Sequence, residues 1–398
     1  MKIAILTQPL RYNYGGILQN YALQTVLQRM GHEVITLDPR RYYYGWWQHL
    51  RYSLFLSWSD YRSRHMNGEP LDKRHFILFI INYFLRHSLF RKMNVEIFEK
   101  KKIDKVTRVL GKNTFTFVNK HIKRKEYSNL SEEIAPDTFD AFVVGSDQVW
   151  RPEYNANLLD MFLEFTKGWD VRRIAYSASF GVDFWNCEVT LTERCKQSLK
   201  QFDHVSVRES SGVKLCKEVF GENAIHLLDP TLLLTKEDYF SLLQLSRIPK
   251  SNGNLLVYFL DYTDDKKNLI QQITDEYQLV PFRVNSDVEN YLLADIERRI
   301  QPPVEQWLRG FYDAEYVITD SFHACVFSII FDKPFIVYTN EMRGNTRFES
   351  LLNQFSLADC MISSSEEFHG FIPCKKNTSQ MLNKLREKSI CLLWSMLQ

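Results

Sequence analysis

Residues 314–338 read AEYVITDSFHACVFSIIFDKPFIVY, and this stretch supplies the pattern from which the rest of the chain can be interpreted. A first apolar run, Tyr316–Thr319, is followed by a turn of small polar residues and by a second apolar run that ends at Ile330. Lys333 and Pro334 separate this second run from a third, Phe335–Tyr338. The order predicts a buried strand, a turn, a helix and another buried strand.

His323 is the candidate catalytic residue of this stretch. It lies where the predicted strand changes to the predicted helix, and open α/β sheets gather their chemistry at the carboxyl ends of strands. Histidine is also the side chain best suited to proton transfer near neutral pH. The alternative is that His323 only caps or packs the first turn of the helix, and the pattern alone does not separate the two.

The amino-terminal segment shows a similar pattern. A strand over residues 2–7 leads into a loop that contains Gly15 and Gly16, and an amphipathic helix over 17–30 ends at Gly31. A second strand follows over 33–37, which predicts a βαβ opening of the Rossmann type. The loop lacks G-x-G-x-x-G and is not a dinucleotide fingerprint. It could hold an anion or sugar hydroxyls at the helix N-terminus, or it could be a structural turn.

Four later predicted strands also end in small or polar residues. These ends are Gly145-Ser146-Asp147-Gln148, Ser177-Ala178-Ser179-Phe180-Gly181, Arg208-Glu209-Ser210-Ser211-Gly212 and Asp229-Pro230-Thr231. Polar residues commonly cap helices, but four such ends in succession indicate one lined cleft.

Arginine side chains are the candidate anion-binding groups. Arg208 at a strand end, with Arg343 and Arg347 in a later loop, can grip phosphate or carboxylate through two hydrogen bonds each. A substrate with several anionic groups is therefore expected. The alternative for Arg208 is an ion pair with a nearby carboxylate such as Glu209.

The predicted architecture is α/β, with two Rossmann-like domains that face each other across a cleft, as in many group-transfer enzymes. At 398 residues the chain is too long for one ordinary core. We expect an N-terminal domain, 1–234, on the acceptor side and a C-terminal domain, 235–398, that carries His323. The amphipathic C-terminal helix, 377–397, is expected to pack back on the N-terminal domain. Because no G-x-S-x-G, P-loop or H-E-x-x-H motif is present, group transfer fits better than hydrolysis or redox chemistry.

Composition predicts a cytoplasmic protein. The seven cysteines are scattered without a C-x-x-C pair, which argues against a disulfide scaffold or a zinc site and for a reducing compartment. The chain begins directly with a strand rather than with a signal peptide. The longest apolar stretch, 76–85, is far shorter than the ~20 residues that span a bilayer.

The segment 40–126 is strongly basic and aromatic. It holds 20 Lys and Arg against 7 Asp and Glu, a net charge of +13, whereas the remainder carries −11. We interpret it as a helical insertion in the N-terminal domain that makes peripheral contact with an anionic membrane, at the inner face of the cytoplasmic membrane. The alternative is a helical subdomain that packs its aromatic side chains inward. Nucleic acid is not an expected partner, because the rest of the chain is acidic and no recognition motif is present.

Six motifs together resemble the polysaccharide pyruvyl transferase family. They occur in order over nearly the whole chain, and the insertion carries none of them. They are the opening Lys2-Ile3-Ala4-Ile5 with Asn13-Tyr14-Gly15-Gly16 and Gln19-Asn20-Tyr21-Ala22-Leu23-Gln24, then Gly145-Ser146-Asp147-Gln148-Val149-Trp150, Ser177-Ala178-Ser179-Phe180-Gly181, Ser206-Val207-Arg208-Glu209, Asp229-Pro230-Thr231-Leu232-Leu233 and Thr319-Asp320-Ser321-Phe322-His323.

The resemblance implies a GT-B-like pair of Rossmann domains. It also implies transfer of pyruvate from phosphoenolpyruvate to a sugar of an exopolysaccharide or cell-wall glycan, or of its lipid-linked precursor. The product would be a pyruvate ketal, with no metal or redox cofactor. By position His323 resembles the family's catalytic histidine and Arg208 its donor-binding arginine. Ser321 stands where relatives tend to have an arginine, so either Arg343 or Arg347 replaces that anion contact or the donor differs. The alternatives are a GT-B glycosyltransferase that uses a nucleotide sugar, and a non-catalytic glycan-binding relative.

These inferences assign each candidate residue a role. His323 would act as acid and base, because the enol ether carbon of phosphoenolpyruvate becomes electrophilic when its methylene group is protonated. Donor contacts are assigned to Arg208, Ser321, Arg343 and Arg347. Acceptor contacts are assigned to Asn13, Tyr14, Gly15, Gly16, Gln19, Asp147 and Gln148.

Overall fold

Each half of the chain is built on one parallel β-sheet. The computed structural model describes residues 1–40, 107–155, 157–286, 296–339, 345–371 and 377–398. Within these ranges the N-terminal sheet has seven strands in the order β3-β2-β1-β4-β5-β6-β7, and every neighbouring pair is parallel. The strands are β1 Lys2–Leu6, β2 Glu33–Pro39, β3 Arg124–Tyr127, β4 Ala141–Val144, β5 Arg172–Ala178, β6 His204–Val207 and β7 Ile225–His226.

The C-terminal sheet is smaller and also parallel. Its five described strands follow the order β12-β11-β10-β8-β9. They are β8 Leu255–Tyr258, β9 Pro281–Phe282, β10 Tyr316–Thr319, β11 Phe335–Tyr338 and β12 Met361–Ile362.

Helices connect the strands in both halves. Those described in the N-terminal half are α1 Tyr14–Arg29, α2 Lys112–His121, α3 Leu130–Glu133, α4 Val189–Leu199 and α5 Ser210–Leu215. Those described in the C-terminal half are α6 Lys236–Ser246, α7 Asp264–Tyr277, α8 Val304–Asp313, α9 Phe322–Ile330, α10 Thr346–Phe355 and α11 Thr378–Met396. None of the described helices is long and apolar enough to cross a membrane.

The central strands are buried on both faces, and this aligns the polar strand ends. β4 is fully buried, as expected for a parallel strand that helices cover on both sides. In the register of the sheet, Leu6 lies beside Leu37 on one neighbour and Val144 on the other. The polar turns that follow these strands therefore emerge at one edge of the sheet.

The two halves share an apolar core. One hydrophobic cluster contains Leu18 and Leu232 from the N-terminal half with Trp307 and Phe327 from the C-terminal half. The C-terminal helix α11 reaches the N-terminal half, where the Arg386 guanidinium donates a 2.8 Å hydrogen bond to the Leu232 carbonyl. The predicted fold class, two parallel-sheet α/β domains facing one another, is confirmed.

The predicted limit of the helical insertion is wrong at its C-terminal end. Most of the insertion, including its aromatic residues between 42 and 84, lies outside the described residues. The described part contains α2, but residues 124–126 belong to β3, which pairs with β2. The Arg-Lys-Glu sequence conceals this strand because β3 lies at the sheet edge, where charged side chains are usual. Arg124 also has a buried partner, since its guanidinium lies 2.6 Å from the Asp38 carboxylate.

Candidate active site

His323 lies at the contact between the two domains. It is the second residue of α9, directly after the carboxyl end of β10, and it is buried. Its ring packs against the backbone of Gly15 in α1, so closely that a β-carbon on Gly15 would lie 2.0 Å from Nδ1. Glycine at position 15 therefore makes room for the histidine of the other domain.

Asp229 is the carboxylate that faces His323. Its Oδ2 lies 3.7 Å from His323 Nε2, which is an electrostatic contact but too long for a hydrogen bond. Its Oδ1 accepts hydrogen bonds from the amide (3.0 Å) and hydroxyl (2.6 Å) of Thr231. Burial alone would raise the pKa of Asp229, but the His323 ring, the Arg208 guanidinium and Thr231 together hold the pKa below its usual range. Asp229 is thus a carboxylate anion beside the histidine.

Arg208 is buried among three carboxylates. Its Nη1 donates a 2.9 Å hydrogen bond to Asp229, its Nη2 lies 3.4 Å from Asp147, and its Nε lies 4.0 Å from Glu209. Burial would lower the pKa of Arg208, but these carboxylates outweigh burial and raise it. The ion pair predicted as the alternative exists, but Asp229 is its nearest partner rather than Glu209. The Arg208 side chain is 1% exposed, so it is shielded from solvent in this conformation.

Arg347 supplies a second buried cation to this region. It is the second residue of α10, and its guanidinium lies over the ring of Phe322 at 5.7 Å from the centroid. Burial and the nearby Arg208 lower the pKa of Arg347 to about 10, whereas Glu209 and Asp147 oppose that decrease. Arg347 therefore remains protonated at neutral pH.

The other two predicted donor residues contribute differently. Ser321 immediately precedes α9, and its amide donates a 3.0 Å hydrogen bond to the Thr319 hydroxyl, which shapes the turn before His323. Arg343 lies outside the described residues.

The predicted acceptor loop holds the site together. Asn13 caps α1 by accepting a 3.3 Å hydrogen bond from the Gly16 amide. Tyr14 crosses to the C-terminal domain, where its hydroxyl donates to the Pro302 carbonyl at 2.7 Å and its ring stacks on Trp307 at 5.5 Å.

Gln19 has a supporting position and does not face the cleft. Its side chain is fully buried, and its amide nitrogen donates at 2.8 Å to both the Thr7 hydroxyl and the Gly16 carbonyl. Its amide oxygen accepts a 2.9 Å hydrogen bond from the Ser146 amide. The Gln19 amide thus makes its hydrogen bonds inside the N-terminal domain, and its assignment as an acceptor contact stays a prediction.

Asp147 and Gln148 follow the carboxyl end of β4. Asp147 adopts a left-handed backbone conformation, with φ of 70°, and its Oδ2 would lie 3.3 Å from a β-carbon on Gly16. This conformation directs the carboxylate to Arg208. The Gln148 side chain instead accepts a 2.9 Å hydrogen bond from Arg151. Asp147 therefore belongs to the charged cluster, whereas Gln148 lies beside it.

The sequence predicted Glu209 only as a possible ion-pair partner of Arg208 and Asp229 only as part of a polar strand end, and it gave Phe322 no role; all three lie in the cluster. Glu209 is fully buried, and its Oε1 accepts hydrogen bonds from the amides of Phe180 (2.7 Å) and Gly181 (3.1 Å). The sequence could have indicated Asp229 and Glu209 as site residues, because each lies just past the carboxyl end of a strand.

Three buried polar atoms of the cluster have no hydrogen-bond partner among the described residues. They are Nε2 of His323, Nε of Arg208 and Oε2 of Glu209. Buried polar atoms are normally paired, so this concentration indicates a place that receives a polar ligand. In the described part of the chain, no group of three or more His, Cys, Asp and Glu side chains is arranged to hold a metal ion.

Fold and site together define a two-domain α/β protein with a histidine–carboxylate pair and two arginines at the domain contact. Such an arrangement suits proton transfer next to an anionic substrate. The model of the polysaccharide pyruvyl transferase family matches residues 13–342, which is most of the chain. The protein therefore belongs to that family, which supports a transferase that modifies polysaccharides.

Several solved structures are similar in fold. UDP-GlcNAc 2-epimerase from Neisseria meningitidis, bound to UDP-GlcNAc, is 9% identical over 100% of this chain and 99% of its own, with a TM-score of 0.45. The wall teichoic acid polymerase TagF is 9% identical over 100% of this chain and 84% of its own, with a TM-score of 0.43. A spinosyn rhamnosyltransferase with bound spinosyn aglycone is 9% identical over the full length of both chains, with a TM-score of 0.42. At such identities the similarity concerns the fold alone. A comparison with curated protein sequences found no match.

Proposed function

We propose that the protein transfers a pyruvyl group from phosphoenolpyruvate to a sugar of an exopolysaccharide or cell-wall glycan, or of its lipid-linked precursor, and forms a pyruvate ketal. The observation that carries the proposal is the position of His323, 3.7 Å from the Asp229 carboxylate and next to two buried arginines, in a chain of this family. The proposal requires no metal or redox cofactor.

The reaction needs one proton donor and two anion contacts. Protonation of the methylene carbon of phosphoenolpyruvate creates a cation-like centre at the adjacent carbon, which two sugar hydroxyls attack. The carbon–oxygen bond to phosphate breaks, two carbon–oxygen bonds to the sugar form, and the methylene group becomes a methyl group. Of the two hydroxyl protons, one returns to the proton donor, replacing the proton given to the methylene carbon, and the other leaves with phosphate.

The residues of the cluster fit these requirements. His323 would give and recover the proton, which is worth about 10²–10⁴-fold in rate. Asp229, an anion beside the ring, would stabilise the protonated histidine. Arg208 and Arg347 would bind the donor's carboxylate and phosphate, while Asp147 and the loop 13–16 would lie on the acceptor side.

Acceptor-dependent release of phosphate from phosphoenolpyruvate tests this function. The wild type should release phosphate only when a glycan acceptor is present, and His323→Ala should reduce turnover by at least about 10²-fold. His204→Ala is the matched control, because His204 lies at the amino end of β6 in the N-terminal sheet, whereas His323 follows the carboxyl end of β10 in the C-terminal sheet. This variant should retain turnover. Normal turnover of His323→Ala would refute the assignment.

A thermal-shift titration separates the competing functions. Phosphoenolpyruvate should raise the melting temperature, and UDP- or GDP-sugars should not. A shift with a nucleotide sugar alone would indicate a glycosyltransferase. Binding of glycan with no turnover of either donor would indicate a non-catalytic relative.

We also propose peripheral contact with an anionic membrane through the segment 40–126, from the inner face of the cytoplasmic membrane. Its net charge of +13 supports the proposal. The protein should sediment with phosphatidylserine liposomes at low salt, and neutralising Arg91, Lys92, Lys100, Lys101 and Lys102 should weaken this. The control neutralises five lysines outside the segment: Lys196, Lys200, Lys214, Lys217 and Lys236. Absence of liposome binding at any salt concentration would refute the contact.

A further inference from the structure

Phe322 lies at the centre of the charged cluster although it carries no charge. It is the first residue of α9, directly before His323, and only 5% of it is exposed. Its ring makes an edge contact with the His323 ring, with 5.3 Å between centroids and 86° between planes. An aromatic ring in this position can act on the charged groups around it through its quadrupole.

Two arginines from different domains lie over this one ring. The Arg208 guanidinium is 4.5 Å from the ring centroid and the Arg347 guanidinium is 5.7 Å away. Both distances fall within the ~6 Å range of cation–π attraction. Arg208 follows β6 of the N-terminal sheet, whereas Arg347 belongs to α10 of the C-terminal domain.

Two buried cations so close together need compensation. Arg208 has Asp229 as a direct hydrogen-bond partner at 2.9 Å. Arg347 is repelled by Arg208 and attracted by Glu209 and Asp147. The electron-rich face of Phe322 attracts both guanidinium groups at once, so it offsets part of the repulsion that would drive them apart.

We propose that Phe322 is a positioning residue that holds Arg208 and Arg347 together as one receptor for the two anionic groups of a small donor. This inference rests on the proposed function in naming the donor, a molecule with one carboxylate and one phosphate. Because Ser321 is uncharged, Arg347 supplies the second positive charge, and Phe322 fixes the position of the Arg347 guanidinium. Arg208 contributes its Nε, which has no hydrogen-bond partner among the described residues.

The test compares side chains with and without a ring at position 322. Phe322→Leu removes the aromatic face and stays apolar, whereas Phe322→Tyr keeps the face. We expect Phe322→Leu to raise KM for phosphoenolpyruvate about tenfold and to weaken binding of inorganic phosphate in calorimetry by about the same factor. Its kcat should stay within about threefold of wild type, because His323 is unchanged. Phe322→Tyr should restore both binding constants to within about twofold of wild type.

Phe348→Leu is the matched control. Phe348 lies in α10 next to Arg347, and its buried ring is 6.3 Å from the Phe322 ring. The Phe348→Leu substitution therefore removes the same aromatic area from the same core. Phe348→Leu should leave phosphate binding within about twofold of wild type. If Phe322→Leu does not fold, Phe322→Met, whose flexible side chain fills core gaps, makes the same comparison.

Several results would overturn the proposal. It fails if the ring-free variants bind phosphate as wild type does, if Phe348→Leu has the same effect as Phe322→Leu, or if the wild type does not bind phosphate. It also fails if Phe322→Leu lowers kcat and leaves KM unchanged. If the wild type binds phosphate but never releases it from phosphoenolpyruvate, the proposed function is wrong, and calorimetry still decides the role of Phe322.

Discussion

Replacing Gly15 with alanine tests whether the two domains close around His323. A β-carbon at position 15 would lie 2.0 Å from Nδ1 and 2.2 Å from Cγ of His323, whereas ordinary contacts begin at about 3.4 Å. The ring and the α1 backbone would therefore have to separate by about 1.4 Å. Overpacking of this kind typically costs about 1–3 kcal/mol. A displacement of about 1 Å at a catalytic group can cost about 10²-fold in rate.

The neighbouring glycine provides a matched control. Gly16 lies in the same first turn of α1, so alanine gains the same helix propensity at both positions, about 1 kcal/mol. A β-carbon on Gly16 would lie 3.3 Å from Asp147 and 3.5 Å from Asn13, contacts that small side-chain shifts can relieve. Gly15→Ala should therefore lose about 10²-fold in acceptor-dependent phosphate release, while Gly16→Ala stays within about threefold.

A double-mutant cycle measures the same contact without relying on catalysis. Because His323→Ala removes the ring, adding Gly15→Ala to it should cost much less stability than Gly15→Ala costs in the wild type. The coupling energy from chemical denaturation should be at least about 1 kcal/mol. If Gly15→Ala is as stable and active as Gly16→Ala, or if the cycle shows no coupling, His323 does not pack against α1 in solution.

Three further substitutions probe the buried charges. Asp229→Asn removes the nearest anion of Arg208 and should reduce the free energy of unfolding by about 3 kcal/mol in denaturant titrations; an unchanged value would show that the pair contributes nothing. Lys266→Met leaves the buried Asp320 without the ammonium group 2.6 Å away, so a similar loss of unfolding free energy is expected. The double variant Lys266→Met with Asp320→Asn should lose less unfolding free energy than the sum of the losses of the two single variants. Burial raises the pKa of Asp160 to about 6, so the folded protein keeps the proton of this carboxyl group up to a higher pH than the unfolded chain does. The free energy of unfolding therefore falls as pH rises from about 4 to about 6. Asp160→Asn should therefore gain about 2 kcal/mol over wild type at pH 7 and little at pH 4, and equal gains at both pH values would contradict the raised pKa.

The strands that sequence patterns identify well are those that helices cover on both faces. The runs at β1, β4 and β10 are almost purely apolar, so local sequence is enough to predict a parallel strand. β3 and β12 escape this pattern, and each is an edge strand of its sheet. β3 contains Arg-Lys-Glu, and its strand conformation depends on pairing with β2, which no local pattern encodes.

Part of the site could also be placed from the sequence, because polar residues that follow parallel strands meet at one edge. This argument places Arg208 and Asp147 near one another at one edge of the N-terminal sheet. His323 follows a strand of the other sheet, and only the prediction of two domains facing each other brings it to the same place. The strand pattern does not say which partner each residue takes. Arg208 hydrogen-bonds to Asp229, which is distant in sequence, whereas its neighbour Glu209 lies 4.0 Å from the Arg208 Nε and accepts hydrogen bonds from backbone amides that follow β5. The pattern of α1 also does not reveal that the Gln19 amide turns inward, toward Thr7 and Ser146.

The division of the site between the domains determines how the proposed reaction could be controlled. His323, Phe322 and Arg347 belong to the C-terminal domain, whereas Asp229, Arg208 and Gly15 belong to the N-terminal domain. The histidine therefore acquires its carboxylate only when the domains are in contact, and in that state Arg208 is 1% exposed. For the proposed reaction, this predicts that the substrate enters before the contact forms. Water would capture a cation-like pyruvyl centre as readily as a sugar hydroxyl would, so a proton donor that is completed only upon closure favours transfer over hydrolysis.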